Sequence, residues 1–213
     1  FMVIDNGGDE DVTLVRASSP VAGMTQLHEM ANVDGDMVMQ EIDGGIVIGT
    51  DRMKKIVELN VDDLYITCQP GLTTFEVQQA AAEVGLMFAP DPASYKDSFI
   101  GGNIAENAGG MRTPKYGVTK HHVLGMEVVT ATGEVIHTGG RTVKNVVGFD
   151  LTGLMCGSEG MLGIITEATL KLLPMPGATS TVRASFHSME AACKVLTKFT
   201  PEGLLPMAME VLD

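Results

Sequence analysis

The sequence predicts an α+β fold. Three observations point there: short runs of β-branched and apolar residues bounded by Gly, Asn and Asp; a capped segment with helical spacing between two of them; and a hairpin pattern further on that implies an antiparallel sheet. Length and composition agree. A chain of 213 residues buries roughly 70% of its unfolded surface, and 45% hydrophobic with 19% charged residues is ordinary globular composition.

Along the chain, Val12–Val15 reads as a strand and Met24–Ala31 as a short helix, while the acidic, Met-rich stretch to Met39 has no clear period. Ile46–Ile48, Lys55–Leu59 and Leu64–Gln69 are expected strands. Pro70-Gly71 turns the chain. Thr73 or Thr74 then caps a helix through Phe75, Val77, Ala80, Ala81 and Val84, which Gly85 ends. Val123–Thr130 and Glu134–Thr138 flank Ala131-Thr132-Gly133 as a hairpin. A short apolar segment, Leu151–Cys156, precedes a strand over Gly163–Leu173 that Pro174 and Pro176 stop. Thr181–Phe186 is an expected strand and Met189–Phe199 an expected helix.

Fourteen Lys plus Arg against 27 Asp plus Glu give a net charge of −13, which opposes nucleic-acid or anionic-membrane binding, so any anionic ligand must be held locally. No run approaches the ~20 apolar residues of a membrane span, and Phe1–Asp11 lacks the basic start of a signal peptide. Cys68, Cys156 and Cys193 form no CxxC pair and read as buried small hydrophobes in a reducing compartment, the cytoplasm or an organelle matrix. No metal site is expected: Asp9, Glu10, Asp11, Asp34 and Asp36 lack the ligand order of a calcium loop and read as a solvated face. Histidines 121 and 122 are expected on a surface or loop, because adjacent strand residues point to opposite faces.

Ligand chemistry concentrates between Pro90 and Gly110. Pro90-Asp91-Pro92 holds the chain extended. In IGGNIAENAGG, two Gly pairs flank six residues, enough for about two helical turns. Adjacent glycines before a helix turn backbone N–H groups toward one point, a nest suited to phosphate or pyrophosphate; the same glycines serve equally to make tight turns. A second cluster, GSEGMLGII from Gly157, puts three glycines at a strand entrance where a ligand can approach the backbone. Neither a GxGxxG after a strand nor a GxxxxGK[ST] is present.

PDPASYKDSFIGGNIAENAGG, KYGVTKHHVLGMEVVTATGEVI and VKNVVGFDLTGLMCGSEGMLGIITEATLKLLP together resemble, in order and spacing, the FAD-binding domain of the FAD-linked oxidases of the vanillyl-alcohol oxidase type, in the branch of the glycolate oxidase flavin subunit and D-lactate dehydrogenases. The resemblance runs from about Gly44 to Pro174. It implies two subdomains, one with a small parallel sheet and one with a larger mixed or antiparallel sheet, clasping a non-covalent FAD. By motif, Asp91, Pro92, Ala93 and Ser94 would line the pyrophosphate and flavin side, and Ser98, Gly101, Gly102 and Asn103 would supply donors. Glu106, Asn107, Ala108 and Gly109 would follow the cofactor, and Glu159, Gly160, Gly163, Ile164 and Ile165 would meet its adenosine or pyrophosphate end. Lys115, Tyr116 and Gly117 read as loop support.

The function so implied is hydride transfer from a small 2-hydroxy acid to flavin, with electrons passing to an iron-sulfur protein, an electron-transfer flavoprotein or a quinone. The expected organisation is a divergent segment 1–43, a core 44–177, and residues 178–213 opening an incomplete substrate domain. Two departures qualify it. The family's Arg-Gly-x-Gly-Thr loop is replaced by Arg16-Ala17-Ser18-Ser19-Pro20-Val21-Ala22-Gly23, whose Cβ atoms obstruct close approach. The chain also reads as a truncated piece without the family's acid/base histidines, so no catalytic residue is assigned. The alternative is a non-catalytic fragment or remnant that keeps the fold without tight FAD. A weaker one is another flavoenzyme of this fold, a cell-wall sugar-precursor reductase or an alcohol oxidase.

Overall fold

A computed structural model describes residues 48–211, together with the backbone of 27–33 and 36–42. The expected strand Val12–Val15, the Arg16–Gly23 loop and Asp9–Asp11 lie outside the described residues, as do Ile46 and Val47 of the expected strand Ile46–Ile48.

Strand β1 (Leu27–Val33) pairs antiparallel with β2 (Asp36–Ile42), Leu27 opposite Ile42 and Val33 opposite Asp36. This corrects the helix expected at Met24–Ala31, of which residues 24–26 are undescribed. The two strands are separated in sequence only by Asp34-Gly35, the dipeptide favoured in two-residue hairpins, and cross-strand pairing overrides a weak helical pattern.

Strand β3 (Ile56–Asn60) turns into β4 (Tyr65–Cys68) through Asn60, whose side-chain oxygen accepts from the amides of Asp62 (3.0 Å) and Asp63 (2.8 Å). Helix α1 (Thr74–Glu83) starts on a capping box: the Glu76 amide donates to Thr73 Oγ1 (3.2 Å), and the Thr73 amide donates to Glu76 Oε2 (2.7 Å). Gly85, at φ +76°, follows its end as expected. Next come the two-residue β5 (Leu86–Met87), the short helices α2 (Ile100–Ala105) and α3 (Thr113–Tyr116), and a 3-10 turn over Thr119–His122. Strands β6 (Val123–Val129) and β7 (Val135–Gly139) form the expected hairpin, with Val129 opposite Val135. After α4 (Leu151–Met155) come β8 (Ile164–Lys171), β9 (Leu173–Pro174) and α5 (Met189–Phe199).

The main sheet has the order β3-β4-β8-β6-β7 and is antiparallel throughout; β5 and β9 form a second, small antiparallel sheet. The small parallel sheet that the resemblance implies is not found among the described residues. The strand expected over Gly163–Leu173 is divided, with Lys171 ending its part in the large sheet and Leu173 pairing with Met87. Ile66, Val128, Ala168 and Leu170 on the sheet pack with Val77 and Ala81 of α1, Ile100 and Ile104 of α2, and Met155 of α4. Three helices thus pack against the sheet.

Two expectations fail on packing. Residues 181–186 form no strand; they are exposed, and no described segment pairs with them, so their backbone has no ladder to join. Cys193 is exposed because α5 buries only Ala192, whereas Cys68 and Cys156 are buried. Burial pushes the Cys68 thiol up to about 12, helped by the charge of Glu167, and the Cys156 thiol up to about 11. Among the described residues no helix is long and apolar enough to cross a membrane.

Candidate ligand-binding site

The site grows from two arms that the fold fastens together. The first arm leaves the core at Phe88 and Ala89, both buried, and reaches Pro90, whose carbonyl accepts from Gln78 Nε2 of α1 (2.9 Å). Asp91 pairs with Arg112 (3.2 Å), and Pro92 is buried. Ala93 and Ser94 are exposed at the top of a turn closed by the Tyr95 amide on the Pro92 carbonyl (2.9 Å) and the Ser98 amide on the Ser94 carbonyl (2.8 Å). The Thr74 amide donates to the Ser98 carbonyl (3.0 Å), and the hydroxyls of Thr74 and Ser98 lie 3.3 Å apart. Asn103, buried, donates through Nδ2 to Thr74 Oγ1. The start of α1 and the turn before α2 are thereby locked to each other.

The Gly pair lies inside the first turn of α2, not before it, and helix ends at Ala105. The Ile100 amide goes to the Leu72 carbonyl (2.8 Å), the Gly101 amide to Pro70 (2.9 Å) and the Asn103 amide to Phe99 (2.9 Å). Gly102 N–H makes no hydrogen bond among the described residues. The two glycines have different reasons: a Cβ on Gly101 would meet Pro70 Cβ at 2.7 Å, whereas one on Gly102 would meet nothing within 4 Å. Gly101 is therefore required for packing, and exposed Gly102 presents bare backbone to the outside.

The second arm meets the first at the end of α2. The Gly157 amide donates to the Ile104 carbonyl (2.9 Å) and the Glu159 amide to the Ala105 carbonyl (2.9 Å), so segments fifty residues apart in sequence form one continuous surface. Glu159 (φ +52°) and Gly160 (φ +74°) are both left-handed there. Glu106, Gly109 and Glu159 are exposed; Gly160 is half-buried. Gly163 is buried because a Cβ would press on Val128 Cγ1 (2.6 Å) and the Val129 carbonyl (2.8 Å), and Ile164 and Ile165 pair with Val129 and Val128 at the start of β8. Asp91, Ser98, Gly101, Asn107, Ala108, Ile164 and Ile165 are half-buried.

Several supporting contacts join separate motifs only on folding. Asn107, at φ +52°, accepts the Lys120 amide on Oδ1 (2.9 Å), and the Ala108 carbonyl accepts both the Thr119 amide (3.1 Å) and Thr119 Oγ1 (2.8 Å). Gly110 sits so close to Asp91 that a Cβ would overlap the Asp91 carbonyl. The Gly117 amide caps α3 on Thr113 (2.9 Å), and the Tyr116 carbonyl meets His122 Nε2 (2.9 Å). Of the surface or loop placement expected of the two histidines, His122 keeps the turn but not the surface, being 3% exposed. In a 3-10 turn, with three residues per turn, neighbouring side chains do not alternate as in a strand, and the turn puts His121 outside and His122 inside. Burial lowers the His122 pKa; the Tyr116 carbonyl opposes that less strongly, and Lys171 adds to it. A cavity of about 220 Å³ adjoins this region, lined among others by Lys120, Thr142, Asn145, Asp150 and Gly153 and bordered by Phe149, 96% exposed.

The residues at the joined arms fit an extended, phosphate-bearing cofactor. Gly102 offers an exposed N–H without a partner among the described residues, Gly109 an exposed backbone, and Ser94 is exposed. Among the described residues no three His, Cys, Asp or Glu side chains are grouped to hold a metal ion.

Residues 31–139 match the family model described as FAD binding domain. The chain is 44% identical over 171 residues to the glycolate oxidase subunit GlcD of Bacillus subtilis, covering 80% of this chain and 36% of that protein. It is 38% identical over 172 residues to the D-lactate dehydrogenase of Anaerostipes hadrus, covering 81% and 36%. Its fold superposes on a solved structure of alkyldihydroxyacetonephosphate synthase with TM-score 0.65 and 26% identity, covering 76% of this chain and 29% of that one. The chain thus spans about a third of the length of the curated relatives it matches.

Proposed function

Because the chain belongs to the FAD binding domain family, we propose that it is the cofactor-holding part of a flavin-dependent 2-hydroxy-acid dehydrogenase of the glycolate or D-lactate type. The observation that carries this is the joining of the two glycine arms by the Gly157 and Glu159 amides, in a chain 44% identical to a glycolate oxidase subunit.

In this reading Asp91, Pro92, Ala93 and Ser94 frame the pyrophosphate and flavin side of a non-covalent FAD. Gly102, with Ser98, Gly101 and Asn103 behind it, presents the donor wall; Glu106–Gly109 and Glu159–Ile165 flank the rest. When bound, the flavin supplies a two-electron acceptor for the substrate's α-carbon hydrogen. The protein's own task is to hold that group in place: buried Asn103 fixes the turn before α2, and the Asp91–Arg112 pair fixes the approach strand. The core 44–177 carries this task, residues 178–213 open the substrate domain, and the substrate's acid/base groups are supplied by polypeptide outside this domain. The chain alone then turns over no substrate. Electrons leave to an iron-sulfur protein, an electron-transfer flavoprotein or a quinone, in a reducing cytoplasm that suits free cysteines.

The test is the visible absorption spectrum of the purified chain, with FAD quantified after denaturation and again after titration with free FAD. The reading requires about one FAD per chain, by the two-arm geometry above. A folded chain that takes up none refutes it and favours a non-catalytic remnant, for which the substitution of Ala, Ser and Pro in the Arg16–Gly23 segment already argues.

A further inference from the structure

The geometry points to His122 as a positioning residue whose neutral side chain latches the first arm of the site and whose protonation releases it. The inference rests on the reading that these arms hold FAD. His122 stands where several supports of the first arm meet. Its ring packs edge-on against Phe88 (centroids 6.1 Å apart, planes at 82°), the residue from which the Pro90–Pro92 approach leaves the core. Its Nε2 meets the Tyr116 carbonyl at the end of α3 (2.9 Å). Its own turn supplies Thr119 and Lys120, which hold Ala108 and Asn107. The first arm is tied to the same turn through Gly110 against Asp91 and through the Asp91–Arg112 pair.

A carbonyl can only accept, so Nε2 carries the hydrogen and Nδ1 is the bare ring nitrogen. Nδ1 is buried and has no hydrogen-bond partner among the described residues. Protonating it puts a positive charge into a buried slot where only the backbone carbonyls of Tyr116 and Lys171 favour the charged ring, and burial, the largest cause, together with the Lys171 charge outweighs both. Lys171 from β8 acts on the ring as a cation, and His121 stands beside it, accepting the Val118 amide on Nδ1 (3.1 Å). Acid therefore favours an arrangement in which the ring leaves its slot, the Thr119–His122 turn shifts, and the Asn107 and Ala108 anchors part. Since the folded-state pKa is lowered, the latch holds above the free imidazole value and weakens as pH falls below about 6.5 toward the folded value.

The test is the ratio of FAD dissociation constants at about pH 5 and about pH 7.5, measured by flavin fluorescence on the whole chain and on His122→Gln and His122→Phe. Wild type should bind about tenfold more weakly in acid, because only the latched fraction is competent, and both variants should show a ratio within about twofold of one. A flat wild type, or variants as acid-sensitive as wild type, overturns the inference. If FAD fails to bind at the higher pH, the FAD reading falls and the latch is judged on the chain alone. Its melting temperature should then drop more in acid for wild type than for the variants, and equal drops overturn it. Should neither variant fold, the Thr119 and Lys120 amide signals of wild type decide. Movement with the midpoint of the His122 ring supports the latch, and fixed signals refute it.

Discussion

Replacing Gly102 by Ala separates ligand contact from folding, because the two effects carry opposite signs. Gly102 lies in the first turn of α2, is exposed, and has open space where a Cβ would go. Alanine there restricts the unfolded chain and favours helix, which stabilises by about 0.5–1 kcal/mol. For a domain of this size that raises the melting temperature by roughly 1–4 °C. The same methyl group stands beside an N–H that has no partner among the described residues, and a phosphate approaching that bare backbone would meet it. If a phosphate oxygen accepts from that N–H, the lost charge-assisted bond costs about 1.5–3 kcal/mol, a weakening of about 10- to 150-fold in FAD affinity. Thermal melting without FAD and fluorescence titration with it measure the two separately. An unchanged affinity with a raised melting temperature would refute the placement of cofactor at Gly102. A lowered melting temperature would refute the open-space argument itself.

Gly110→Ala should behave oppositely, losing both stability and FAD together, since its Cβ meets the Asp91 and Pro92 backbone; overpacking of this kind costs about 1–3 kcal/mol, read by denaturant midpoint. Thr73→Ala removes the capping box of α1 and should cost about 0.5–2 kcal/mol. The Thr73 backbone amide, with the Thr73 hydroxyl also contributing, holds the Glu76 carboxyl below the usual range. Stability from this pair is complete above the unfolded carboxyl value and lost as pH falls through the folded one, so the wild-type excess over Thr73→Ala should shrink on acidification in melts across that range. With a thiol reagent, exposed Cys193 should react at once, while Cys68 and Cys156 wait for unfolding. Prompt reaction at more than one thiol per folded chain would contradict the packing.

The parts of the fold legible in the sequence were those with local causes. Thr73 to Gly85 carries its own start and stop, and the Ala131-Thr132-Gly133 hairpin carries its own turn, so both were readable within a residue or two. The departures are local as well: Met24–Ala31 has a weak helical spacing that the Asp34-Gly35 hairpin overrides, and 181–186 has β-forming residues but no partner among the described residues. In the site, the glycine runs could be found in the sequence, but the division of labour among them could not. Gly101, Gly110 and Gly163 are glycine because a neighbouring segment lies against them, and Gly102 because nothing does.

By itself, the sequence determined the elements with capping and turn chemistry, the family, and the two segments where a phosphate-bearing cofactor would be sought, because these depend on residues close together along the chain. The tertiary structure alone decided that Ile104 and Ala105 receive the Gly157 and Glu159 amides, that Arg112 meets Asp91, and that His122 lies buried against Phe88. Those contacts arise from the antiparallel return of β8 between β4 and β6, which brings distant backbone groups within hydrogen-bond range. No periodicity or spacing along one strand records which segment will be its neighbour.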